Sequence, residues 1–122
     1  MKYLLLVYGD EKRWTDEYRS ACYDESLKLA HDLQAGGKYI SASPLQPTAT
    51  AASVRIREGK RTVTDGPFAE TREQLGGYYL VEAASREEAI EIASKIPVAR
   101  MGTIEVRPLI DLAGLPEEGG RA

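Results

Sequence analysis

The 122-residue sequence contains no asparagine, one cysteine (Cys22), one histidine (His31), one phenylalanine (Phe68) and one tryptophan (Trp14). Each shortage excludes something. Without asparagine there is no N-glycosylation acceptor. A lone cysteine forms no disulfide within the chain, and one Cys with one His cannot supply the nitrogen and sulfur ligands of an ordinary zinc site. No apolar run approaches the roughly 18 residues of a membrane-spanning helix. The opening run Tyr3–Tyr8 is too short for a signal-peptide core and no small-residue cleavage site follows it. Positive charge is not in excess: 16 Lys and Arg stand against 19 Asp and Glu, a net charge of −3 that offers no basic face to a phosphate backbone. A P-loop, a dinucleotide glycine fingerprint and a Gly-x-Ser-x-Gly elbow are all missing. The expectation is a cytoplasmic protein without a metal or cofactor, with neither nucleic acid nor membrane as a direct partner.

Hydrophobic residues at 43% and charged residues at 29% place the chain among soluble domains with one core. A single domain over 1–112 is expected, with 113–122 as a flexible tail ending in a Pro, Glu and Gly-rich stretch. Lys2–Tyr8 reads as a strand, a nearly continuous apolar run of the kind buried on both faces. From Thr15 to Ala35 the spacing is helical, with Tyr18, Cys22, Leu29, Ala30 and Leu33 on one side. Thr15 caps its start and Gly36-Gly37 its exit. A short strand, Lys38–Ala42, follows and stops at Ser43-Pro44. Val54 and Ile56 alternate with Arg55 and Arg57 before Glu58-Gly59, which predicts a hairpin with one wet face. The loop Asp65–Leu75 carries a helical turn over Glu70–Gln74, and Gly77–Ala83 is a strand. Ser85-Arg86-Glu87-Glu88 is a capping box opening a helix that Pro97 stops. Gly102–Leu109 is the last strand. Two strand–helix–strand halves around an inserted hairpin define an α+β, split β-α-β sheet with both helices on one face. The opposite face, apolar through Leu4 and Leu6, calls for a symmetric homodimer packed sheet to sheet.

The most distinctive stretch is Val63-Thr64-Asp65-Gly66-Pro67-Phe68-Ala69-Glu70-Thr71, continuing to Leu75-Gly76-Gly77-Tyr78-Tyr79. With the opening Met1-Lys2-Tyr3 to Tyr8-Gly9-Asp10-Glu11, the Ser53-Val54-Arg55 strand and the closing Val106-Arg107-Pro108, it resembles the YCII-related superfamily. Within that superfamily it is most similar to the DGPF branch, named for the tetrapeptide that stands here as Asp65–Phe68. The resemblance covers about Met1–Leu109. It implies a ferredoxin-like fold that dimerises into a dimeric α/β barrel. It also implies one of two functions: a small lyase or isomerase, or a ligand-sensing partner of an extracytoplasmic-function sigma factor. Some relatives use a His–Asp pair, but the position that would hold the histidine is close to Ser26, and His31 does not match. That mechanism is not carried over.

The residues offer their own candidate site for an unidentified small polar, aromatic or carboxylated molecule. Asp65, at a strand end before Gly66-Pro67, is either a turn residue that accepts backbone hydrogen bonds or a catalytic base. Glu70 and Tyr8 are proton donors for cofactor-free proton transfer. Arg55 and Arg107 would clamp an anion, with Glu105, Glu73 and Gly66 completing the ligand-binding set. Glu105 and Arg107, two apart on a strand, share a face. Phe68 is expected to pin the loop to the sheet. Cys22 is read as a core residue, His31 as surface and Trp14 as packing. A solvated charge cluster, with Arg72 between the carboxylates, is the bland alternative to a working Asp65–Glu70 dyad.

Overall fold

A computed structural model describes residues 1–117. Strand β1 (Lys2–Gly9), helix α1 (Asp16–Ala35) and strand β2 (Tyr39–Pro44) form the first half. The hairpin strands β3 (Ala52–Arg57) and β4 (Lys60–Asp65) come next, and strand β5 (Gln74–Glu82), helix α2 (Arg86–Ser94) and strand β6 (Thr103–Pro108) form the second half. Four strands make one antiparallel sheet in the order β2-β5-β1-β6, while β3 and β4 make a separate two-stranded sheet. This is the α+β, ferredoxin-like arrangement with an inserted hairpin.

The core lies between the sheet and the two helices. β1 alternates, so Tyr3, Leu5 and Val7 enter the core beside Tyr79 and Val81 of β5. Leu4, Leu6 and Tyr8 are half-buried on the opposite face, so the strand is not buried on both faces as its apolar run suggested. Leu29 and Leu33 of α1 and Ala89, Ile92 and Ala93 of α2 close the core from above. Each helix is capped as the sequence dictates: Thr15 Oγ1 accepts from Tyr18 N, and Ser85 Oγ accepts from Glu88 N.

Three local readings change. Residues 70–73 form no helical turn; β5 already begins at Gln74. Gly76 and Gly77 therefore lie within a strand. A side chain at Gly77 would come within 3.0 Å of the Ser43 carbonyl oxygen, so the glycine lets edge strand β2 approach. β2 in turn runs on through Pro44, which an edge strand tolerates. Phe68 does not pin its loop: it is 82% exposed.

The hairpin turns through Glu58 (φ 51°) and Gly59 (φ 77°), the left-handed pair that a two-residue turn requires. Its base is closed by Gly66 N donating to the Ala51 carbonyl (2.7 Å) and by Ser53 Oγ donating to the Gly66 carbonyl (2.8 Å).

Candidate functional site

A cavity of about 620 Å³ opens between α1 and the β2–β5 side of the sheet. Its roof is the helix stripe Arg19, Cys22, Tyr23, Ser26, Leu27 and Ala30. The floor comes from Val7, Ala42, Tyr79 and Tyr39, and Leu45, Gln46 and Pro47 of the loop after β2 close one side. Trp14, in the turn before α1, completes the wall and packs obliquely on Tyr18 at 5.1 Å between ring centroids. Gly9 makes room for the indole, since a Cβ there would stand 3.1 Å from Trp14 Cζ2. A predominantly apolar, aromatic-lined concavity with a few polar groups is the usual form of a small-molecule site.

Glu11 organises the rim. Its carboxylate accepts from Thr48 N (2.9 Å) and Thr48 Oγ1 (3.0 Å), and its own N–H donates to Gln74 Oε1 (3.0 Å). One residue thereby ties the end of β1 to the loop after β2 and to the start of β5. Both carboxylate oxygens are committed to that task. In the floor, removal from water pushes the Tyr79 phenol above its ordinary value, and its hydroxyl donates to the Ser26 carbonyl (3.3 Å).

None of the residues chosen from sequence lines this cavity. They separate into two groups. Tyr8, Glu105 and Arg107 do converge, on the open face of the sheet. Tyr8 donates to Glu105 Oε1 (3.3 Å), and Arg107 Nη1 donates to Glu105 Oε2 (3.0 Å). Desolvation, then the Glu105 charge, raises the Tyr8 phenol above its ordinary value, with Arg107 opposing. Nearby, Thr103, the register partner of Tyr8, donates to Glu73 Oε1 (2.8 Å). Asp65, Arg55 and Gly66 go with the hairpin instead, and Glu70 lies in the exposed loop that follows. Asp65 pairs with Ala52 in the ladder, and its carboxylate accepts no hydrogen bond among the described residues. The turn is held by backbone groups and Ser53 instead.

Trp14, Arg19, Ser26 and Glu11 were not among the chosen residues. For two of them the sequence carried a signal. Arg19 and Ser26 share the helical spacing of Cys22, Leu29 and Leu33, so they are polar interruptions of an otherwise inward stripe. Trp14 announces only packing, and the Glu11–Thr48 pairing spans a separation that no local pattern reveals.

Among the described residues, no group of three or more His, Cys, Asp or Glu side chains stands close enough to hold a metal ion. No helix among the described residues is long and apolar enough to cross a membrane.

An uncharacterized protein of Rhizobium meliloti (strain 1021) is 38% identical over 114 residues, covering 89% of this chain and 92% of the relative. The model of the YCII-related domain matches residues 1–113. The chain belongs to the family of YCII-related domains.

Proposed function

We propose that the protein binds a small ring-bearing organic molecule in the cavity between α1 and the sheet. The observation that carries this reading is the cavity itself. At about 620 Å³ it lies within the roughly 300–1,000 Å³ of small-molecule sites, and aromatic side chains line it. Binding without turnover, a sensing role of the kind a sigma-factor partner would need, fits this site better than proton transfer at Asp65. The lyase or isomerase reading asks for a free base beside the ligand. Asp65 and Glu70 do not line the cavity, and Glu11, the carboxylate that does, is engaged with Thr48. The only tryptophan lines the wall, so occupancy should report through its fluorescence. Titration with neutral ring compounds should give a saturable change in Trp14 emission. A screen in which none alters that emission at millimolar concentration would overturn the reading.

A second reading concerns assembly. Val54, Ile56 and Val63 share one face of the hairpin and are 61%, 65% and 54% exposed. An isolated two-stranded hairpin is marginal in water. These exposed residues, with the half-buried open face of Leu4, Leu6 and Tyr78, support a symmetric homodimer. Sedimentation equilibrium should give a dimer, and Val54→Glu with Ile56→Glu should shift it toward monomer. A wild-type chain that stays monomeric at 100 micromolar ends this proposal.

A further inference from the structure

We infer that the molecule bound in the α1 cavity carries an anionic head, as in a small arylalkyl carboxylate, and that Arg19 receives it; this rests on the cavity being the ligand site. Among the lining residues only Glu11 and Arg19 are charged. They are not equally available. Both oxygens of Glu11 already accept from Thr48, at 2.9 and 3.0 Å. A cationic ligand would have to displace those bonds and loosen the loop that closes the cavity.

Arg19 is in the opposite position. Its sole ionic neighbour among the described residues is Asp16, at 3.6 Å, a pair on the first turn of α1 whose carboxylate is fully exposed. Such a contact is weak. A guanidinium presents five N–H donors in a planar fork, so most of its capacity is free for a carboxylate. The side chain is 40% exposed, so much of it is covered, and its position continues the inward stripe of Cys22 and Ser26. A cation at the end of an apolar stripe, above an aromatic cavity, matches a ligand with an apolar ring and an anionic tip.

The test uses three probes of one shape with the intact protein: 3-phenylpropanoate, its neutral amide and 3-phenylpropylamine, each titrated against Trp14 fluorescence. The carboxylate should bind about tenfold more tightly than the amide, the span of one charge-assisted hydrogen bond. The amine should bind most weakly. Added salt should narrow the preference. Arg19→Gln, checked for native circular dichroism, should remove the preference of the carboxylate over the amide. Equal affinity of carboxylate and amide, or a preference for the amine, overturns the anionic assignment while leaving the cavity reading intact. Absence of any saturable signal with all three, in wild type as well as in Arg19→Gln, overturns the anionic assignment together with the cavity reading. A carboxylate preference that survives Arg19→Gln removes Arg19 from the role.

Discussion

Replacing Ala30 by leucine separates a true cavity from a packed layer by the sign of its effect. Ala30 lies on the roof stripe of α1, one turn beyond Ser26 and Leu27, and lines the cavity with them. Leucine has nearly the helix propensity of alanine, so the backbone should not object. The substitution adds three carbons. At about 0.8 kcal/mol for each buried CH₂, full burial would stabilise by about 2.4 kcal/mol. Because the cavity opens to solvent, about half of that, on the order of 1 kcal/mol, is the expectation. For a domain of this size that corresponds to a rise in Tm of about 4 °C. Urea denaturation followed by circular dichroism should show a higher midpoint at an unchanged slope. The same variant should bind 3-phenylpropanamide more weakly, since the leucine occupies ligand space. If the layer beneath α1 were already filled, the added carbons would overpack it and cost about 1–3 kcal/mol. A lowered midpoint therefore refutes the cavity.

Other perturbations read other parts of the fold. Gly102→Ala places a Cβ against the carbonyl oxygen of Tyr8 and 2.9 Å from Val98 Cγ1. Since the Tyr8 oxygen belongs to an interior strand and cannot move aside, a loss of about 3 kcal/mol is expected, and a wild-type melting curve would contradict this. Glu11→Ala removes the acceptor of two Thr48 hydrogen bonds, which should cost about 2 kcal/mol and accelerate hydrogen exchange at the Thr48 amide. Unchanged exchange would show that the loop holds itself. Glu88 is hydrogen-bonded by Lys38 Nζ (2.7 Å) and by Ala84 N (3.0 Å), and these bonds, Lys38 first, lower its pKa. A lowered folded-state value means the stabilisation is present above the unfolded carboxylate range and lost as pH falls through the folded value. Glu88→Gln should thus melt below wild type at neutral pH, and the difference should vanish in strong acid. A difference that does not depend on pH would mean that the charge is not its source.

Most of the fold was legible because its signals are local. Thr15 and Ser85 cap their helices through side chains that the sequence displays, and Glu58-Gly59 specifies its own turn. Order and number of strands followed from alternation and spacing. Where the reading failed, distant partners decided the outcome. The strand was expected to start at Gly77, yet β5 begins at Gln74 and passes Gly76 with a shift of register opposite Val7 and Tyr8, and the space beside Gly77 admits an edge strand. Phe68, the only phenylalanine, was expected to be an anchor, but among the described residues it stays exposed. The site shows the same division. Glu105 and Arg107 pair as their two-residue separation implied, and the Tyr8 phenol joins them through register. The cavity was harder to foresee, because it is assembled from Trp14, α1, β2 and β5, whose spacing is set by the tertiary fold. Only Arg19 and Ser26, polar residues on an inward stripe, marked it in advance.

The hydrogen bond from Gly66 to Ala51 gives the hairpin a property unlike that of the other strands. It pinches the chain where the arm leaves the body and where it returns, so the two ends are already neighbours. Everything between them is a detachable appendage. A shorter loop grafted across that pinch need span almost no distance, and a longer insert adds little closure entropy to the domain. The length of the arm can therefore change without rebuilding the four-stranded body.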